Sequence, residues 1–150
     1  MQNYDLLREV GKTSKPVILK NGLASTIEEF LQATEYILQA GNENVILCLR
    51  GTRTYEPKVR FSFDPAWIPL LKKETHLPII VDPSHPAGDK MLVPAISKAA
   101  IASGADGLMI EVHEDPSKAK SDAGQQLTFN EFSTLMKELK LVAKAVARTL

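Results

Sequence analysis

The sequence has a single cysteine, no excess of either charge and no long apolar run, and each shortage removes a class of protein. A lone thiol can form neither an internal disulfide nor a cysteine zinc knuckle, and it fits a reducing compartment. With 18 basic and 18 acidic residues the formal net charge is zero. No long-range field therefore draws the chain to nucleic acid or to a membrane surface, and its cations act locally or not at all. No stretch approaches the roughly 18 apolar residues of a membrane span, and no signal peptide opens the chain. The expectation is a soluble, cytoplasmic protein with neither nucleic acid nor a membrane as partner. At 150 residues the size prior is one domain, burying about two thirds of its unfolded surface.

What is present is a repeat of apolar runs ending in polar residues. Residues 1–11, MQNYDLLREVG, have helical spacing up to Gly11, a helix C-terminal signal. Residues 15–22, KPVILKNG, read as a short strand with Ile18 and Lys20 on one face. Ser25 and Glu28 match a capping box, opening a helix with an apolar stripe from Ile27 to Leu38 that ends near Gly41. A second strand spans 44–50, NVILCLR, and runs into a long basic loop containing Arg53, Lys58 and Arg60. Asp64 and Pro65 suit the N-cap and first position of a short helix reaching about Lys73. The third strand is the apolar run in LPIIVDPSH, residues 77–85, followed by a helix over about 89–103 that closes at Gly104. A fourth strand, 106–113, leads through a polar loop to a Thr128/Glu131 capping box and a last helix.

Strand starts near 16, 45, 78 and 106 recur about every thirty residues, the length of a βα unit with its crossover helix. The fold class is therefore α/β with parallel strands. Four units are half of a (β/α)8 barrel, and a self-sufficient doubly wound sheet fits the same periodicity.

Each strand ends in ionisable residues: Lys20, Arg50, Asp82 with His85, and Glu111 with His113. In parallel α/β proteins ligands bind at that carboxyl end. Parity puts Ile18 with Lys20, Cys48 with Arg50, Ile80 with Asp82, and Met109 with Glu111 on one face, so the four endings share a rim. A salt-bridged rim that only balances charge, with Asp82 and Ser84 in a turn, is the plainer alternative. Lys20 and Arg50 pair a point charge with a planar fork, a chemistry suited to phosphate or carboxylate oxygens. His85, Glu111 and Asp122 offer one nitrogen and two carboxylates, which Mn²⁺, Fe²⁺, Co²⁺ or Zn²⁺ would accept, although their spacing is no compact metal motif. Cys48 reads as packing inside an apolar strand, His113 as a loop residue, and His76 as structural or solvated at the opposite end. Trp67, Phe61 and Phe63 read as packing of the long loop and short helix.

The runs MQNYDLL, KPVILKNG, NVILCLRGTRTYE, LPIIVDPSHPAG and DGLMIEVHEDPSKAKSDAGQQL, in that order, resemble the C-terminal half of 3-deoxy-D-arabino-heptulosonate 7-phosphate (DAHP) synthase. The resemblance covers nearly the whole chain and is to the subgroup related to KDO 8-phosphate synthase. It implies a single domain, residues 1–150, forming the C-terminal half of a TIM (β/α)8 barrel. It also implies the metal-dependent condensation of phosphoenolpyruvate with erythrose 4-phosphate in the shikimate pathway. Carried over residue by residue, it makes His85, Glu111 and Asp122 ligands of a divalent metal, and Lys20 and Arg50 contacts to phosphoenolpyruvate. It sets Asp82 beside the metal and the aldehyde.

Three family features have no counterpart in this sequence: a cysteine metal ligand on the first strand, a Lys-Pro-Arg segment after the second, and a phosphate-binding arginine before the MQN-like run. Cys48 belongs to a different strand and does not fill the first gap. Leu49 stands where many relatives of the subgroup carry glutamate. The expectation is a fragment inactive by itself and prone to homo-oligomerise. The alternatives are a non-catalytic metal- or phosphate-binding domain and the KDO 8-phosphate synthase reaction.

Overall fold

The computed structural model describes residues 1–149. Its element order is α1 (Tyr4–Gly11), β1 (Val17–Lys20), α2 (Ile27–Gln39), β2 (Val45–Leu49), α3 (Trp67–Glu74), β3 (Ile79–Val81), α4 (Ser84–Ala87), α5 (Val93–Ala102), β4 (Gly107–Leu108) and α6 (Phe129–Ala145). The strands form one parallel sheet in the order β1-β2-β3-β4. This is the order that four successive βα units take in a barrel wall. Among the described residues no helix is long and apolar enough to cross a membrane.

The two faces of the sheet differ. Leu19, Val45, Leu47, Leu49, Ile79 and Val81 face the helices and bury against Phe30, Ile37, Ile68 and Leu71. A second core joins Val93, Ile101, Leu127, Leu135 and Leu139 between α5 and α6. The opposite face carries Ile18, Ile46, Cys48 and Ile80, matched in register. Among the described residues no layer of helices covers it, and Ile18 is 44% exposed.

Local chemistry explains the element boundaries, including three that differ from expectation. α1 ends at Gly11 as expected, although Gly11 is its last helical residue and not a left-handed terminator. A Cβ there would stand 2.6 Å from both Ala40 Cβ and Ile37 O, so the glycine serves the close packing of α1 on α2. The box that caps α2 is Thr26/Glu29, one residue after the expected pair, with the Glu29 amide donating to Thr26 Oγ1 at 3.1 Å. The Ser25 hydroxyl instead donates to Gly22 O, which closes the preceding turn. Asp64 accepts from the Ala66 amide in a turn of its own, and α3 begins only at Trp67. The last strand is far shorter than 106–113: after Met109 N donates to Val81 O, the chain turns to pair Glu111 and His113 with the returning Leu127.

At α6 the expected box is present: Glu131 N donates to Thr128 Oγ1, and Thr128 N and Lys90 Nζ donate to the Glu131 carboxylate. These contacts, the Lys90 hydrogen bond first, pull the Glu131 pKa from 4.5 down to about 2. A carboxylate depressed on folding stabilises fully above about pH 4.5, and that share is lost as pH falls through about 2. Because the pair is solvent-exposed, Glu131→Ala is expected to cost at most about 1 kcal/mol at pH 7. Urea melts should show that difference shrinking toward zero at pH 2. A cost unchanged by pH would contradict the assignment.

Cys48 is fully buried, and burial, reinforced by the negative charge of Asp82, pushes its thiol up to about 12. The packing role expected for it follows, since the thiolate is the reactive form. An aromatic disulfide reagent at pH 8 should leave the native thiol unlabelled and titrate it fully in denaturant. Native labelling as fast as in denaturant would overturn this.

Candidate active site

The strand ends place their polar residues on one rim. Lys20 lies opposite Cys48 in the ladder, one layer below Asp82, and its ammonium reaches up to donate to Asp82 Oδ2 at 2.7 Å. Asp82 is only 1% exposed. Its other oxygen accepts from the His85 amide at 3.1 Å, which holds the start of the short α4 turn over the end of β3. Ser84, fully buried, accepts from the Glu111 amide at 3.1 Å and ties the β3 loop to the segment after β4.

The His85 ring stands between two carboxylates. Its Nδ1 lies 2.7 Å from Asp82 Oδ2 and 3.9 Å from Glu111 Oε1. The close approach lacks hydrogen-bond alignment, so that Nδ1 is buried without a hydrogen-bond partner. His85, Glu111 and Asp122 each bring one potential ligand atom within 4.8 Å of the others. One nitrogen and two carboxylates form a donor set that divalent transition metals accept, and an orphaned imidazole nitrogen among carboxylates is a position a cation would relieve. The residues therefore fit a metal and form a possible metal-binding triad.

Arg50 begins where β2 ends. Gly51 follows with φ +78, and a Cβ there would meet Phe61 Cβ and Ser62 O at 3.0 Å, so this position needs glycine to fold the long loop back. The fold-back sets the Phe61 ring against Arg50, whose guanidinium carbon is 4.5 Å from the ring centroid. Burial lowers the Arg50 pKa from its ordinary value, against the opposing pull of Asp82. Among the described residues no carboxylate pairs with this guanidinium, and no side chain hydrogen-bonds it. It is a partly buried cation held over an aromatic face, with its donors free for an anion.

Three participants escaped sequence reasoning. Asn21, 3% exposed, accepts from the Arg50 amide and donates to Gly22 O and Gly51 O, clamping the ends of β1 and β2 together. Arg60, expected only as one of several loop cations, donates from Nη1 to Asp122 Oδ1 at 2.6 Å and to Gln125 Oε1 at 2.7 Å. The hydrogen bond from Arg60 is the main reason the Asp122 pKa falls below its ordinary value. Gln125, 1% exposed, donates in turn to Glu111 Oε2 at 2.8 Å. A usable signal for Asn21 was an amide directly after a strand. For Arg60 and Gln125 there was none, since 65 residues separate them.

The remaining expectations resolve simply. His113 Nδ1 accepts from the Asp115 amide within its own loop, and His76 is exposed at the start of β3. Arg53 and Lys58 point to solvent. Trp67 and Phe63 pack against the main core, and Phe61 is buried. Leu49 is buried facing the helices, off the rim. A cavity of about 450 Å³, lined by Ile101, Leu108, Ile110, Phe132 and Met136, opens between α5, β4 and α6, with none of the triad in its walls.

Comparison with known proteins gives a consistent placement. Residues 1–148 match the model of the DAHP synthetase I family. A phospho-2-dehydro-3-deoxyheptonate aldolase from Thermotoga maritima is 50% identical over 145 residues, covering 97% of this chain and 43% of that protein. A 2-dehydro-3-deoxyphosphooctonate aldolase from Geobacter sulfurreducens is 32% identical over 92% of this chain and 54% of its own length. A solved truncated form of 3-deoxy-D-arabino-heptulosonate 7-phosphate synthase from Thermotoga maritima superposes with a TM-score of 0.96 at 49% identity, covering 99% of this chain and 56% of that one. The chain thus spans about half the length of the relatives it matches, with the parallel sheet expected of a TIM-barrel-type fold. By the family model and by these likenesses, the chain belongs to the DAHP synthetase I family.

Proposed function

We propose that this chain forms one domain, the C-terminal half of a DAHP synthase barrel, and supplies the phosphate- and metal-binding side of its active site. The reaction is the condensation of phosphoenolpyruvate with erythrose 4-phosphate, a carbon–carbon bond-forming transfer in the shikimate pathway. The observation that carries this reading is the pairing, on one rim, of an unpartnered Arg50 on Phe61 with the His85, Glu111 and Asp122 set.

Each residue then has a task. Arg50 binds the phosphate of phosphoenolpyruvate through its planar fork, and the Phe61 face keeps that fork from swinging into water. Lys20 adds a second cation, and its link to Asp82 aims the ammonium at the rim. Asp82 accepts from the His85 amide and so fixes the backbone that carries the ring, placing the imidazole beside Glu111. His85, Glu111 and Asp122 hold a divalent ion from the group Mn²⁺, Fe²⁺, Co²⁺ and Zn²⁺. When bound, such an ion supplies Lewis-acid polarisation of the sugar aldehyde. Bulk water is kept from the bound phosphate on one side by the fold-back loop. The chain works in the cytoplasm, which the reduced, buried thiol of Cys48 suits.

A second reading, the KDO 8-phosphate synthase reaction, draws on several relatives of that name at 29–32% identity. The 50% identity to a DAHP enzyme favours the first. A purely non-catalytic binding domain would use the same rim.

The purified 150-residue chain is expected to bind Mn²⁺, with His85→Ala abolishing binding, and to bind phosphoenolpyruvate, with Arg50→Met weakening it at least about tenfold. It should show no condensation with added metal and both substrates, and turnover should appear on adding the complementary half of a relative. Turnover by the chain alone would overturn the half-site reading, and no restoration would favour the non-catalytic domain.

The inner sheet face, with Ile18 exposed and unpaired edges at β1 and β4, favours self-association of the isolated chain. Light scattering at micromolar concentration should report a homodimer or larger species. A sharp monomer would count against it.

A further inference from the structure

We propose that Arg60 and Gln125 form a polarity relay that orients the ligand set, making both positioning residues for the metal. This rests on the metal reading above and adds residues that the reading does not need.

The relay follows from what each group can donate and accept. A guanidinium has five N–H donors and no acceptor, so only the carbonyl oxygen of the Gln125 amide can face Arg60. The two ends of an amide are fixed to each other. With Oε1 accepting from Arg60 at 2.7 Å, Nε2 has to point away, and it donates to Glu111 Oε2 at 2.8 Å. The reverse orientation would set N–H against N–H at Arg60 and oxygen against carboxylate oxygen at Glu111. In a residue only 1% exposed, neither clash could be relieved by water.

The consequence lies at the ligands. Gln125 occupies Glu111 Oε2 and leaves Oε1, the oxygen 3.9 Å from His85 Nδ1, as the free atom. The same Nη1 of Arg60 takes Asp122 Oδ1 and leaves Oδ2. One cation on the loop after β2 thereby selects the free oxygen of two carboxylates on the segment after β4, although it is itself no ligand. Both contacts come from a single nitrogen, so a lysine ammonium, with three donors, can replace the guanidinium here.

The test uses Mn²⁺ alone, with its affinity read by titration of the free-ion paramagnetic resonance signal. A second readout, the side-chain amide of Gln125, is followed by nitrogen-15 NMR without metal. Arg60→Met and Gln125→Met should each weaken Mn²⁺ binding about 10–100-fold, the usual cost of losing an outer hydrogen-bond partner of a metal ligand. Arg60→Lys should stay within about threefold of the wild type. Arg60→Met should also release the Gln125 amide protons to faster solvent exchange, while Arg60→Lys should keep them protected. Arg60 is part-exposed, so its variants keep the test available if Gln125→Met fails to fold. Wild-type binding with Arg60→Met within twofold of it would overturn the relay and leave the metal reading standing. Failure of the wild type to bind Mn²⁺ would overturn the metal reading, and the relay with it.

Discussion

A carboxylate buried at the end of a strand is the constraint around which this molecule is arranged. Asp82 is 1% exposed, and an ion taken that far from water destabilises the fold by several kcal/mol unless its oxygens are satisfied. Lys20 from the first strand and the His85 amide from its own turn supply those contacts, and the His85 ring is drawn against it. Removing the lysine would therefore leave an uncompensated charge in the sheet, a larger loss than a surface ion pair represents. The requirement also couples regions far apart in sequence, since strand β1 has to be in register before Lys20 can reach Asp82.

The four strands could be read from the chain because runs buried on one side by helices recur at the length of a crossover unit, and short apolar runs bounded by proline and glycine are distinctive. The rim could be read too, because side-chain parity along a strand is rigid, and Lys20, Arg50 and Asp82 needed only that rule. Boundaries were less legible where two local solutions compete. Ser25/Glu28 and Thr26/Glu29 both match a capping box, and which one forms depends on a hydroxyl being used to close the turn at Gly22. The fourth strand looked long because residues 106–113 alternate well, but an edge strand keeps its ladder only as long as a neighbour offers partners. Arg60 and Gln125 stayed hidden for a different reason. They meet only because two loops converge, and no periodicity marks such a meeting.

The sheet separates stability from chemistry. One face is apolar, helix-covered and nearly water-free; the other ends in charge and, among the described residues, carries no helix layer. Cys48 sits at the boundary: in the ladder it is flanked by Lys20 and Ile80, and it stays protonated because burial and the charge of Asp82 disfavour the thiolate. A sulfur so placed fills space beneath the rim without competing with it for a metal.

The clamp made by Asn21 has a consequence for how such a rim could form in time. Two of its three hydrogen bonds cross from the end of the first strand to the end of the second, and the third closes on Gly22 of its own segment. The rim's orienting contacts join residues up to 65 positions apart, so its geometry depends on several strands being paired at once and is of high contact order. A correctly oriented rim therefore reports that all four strands are in register, which makes it a readout of the whole sheet.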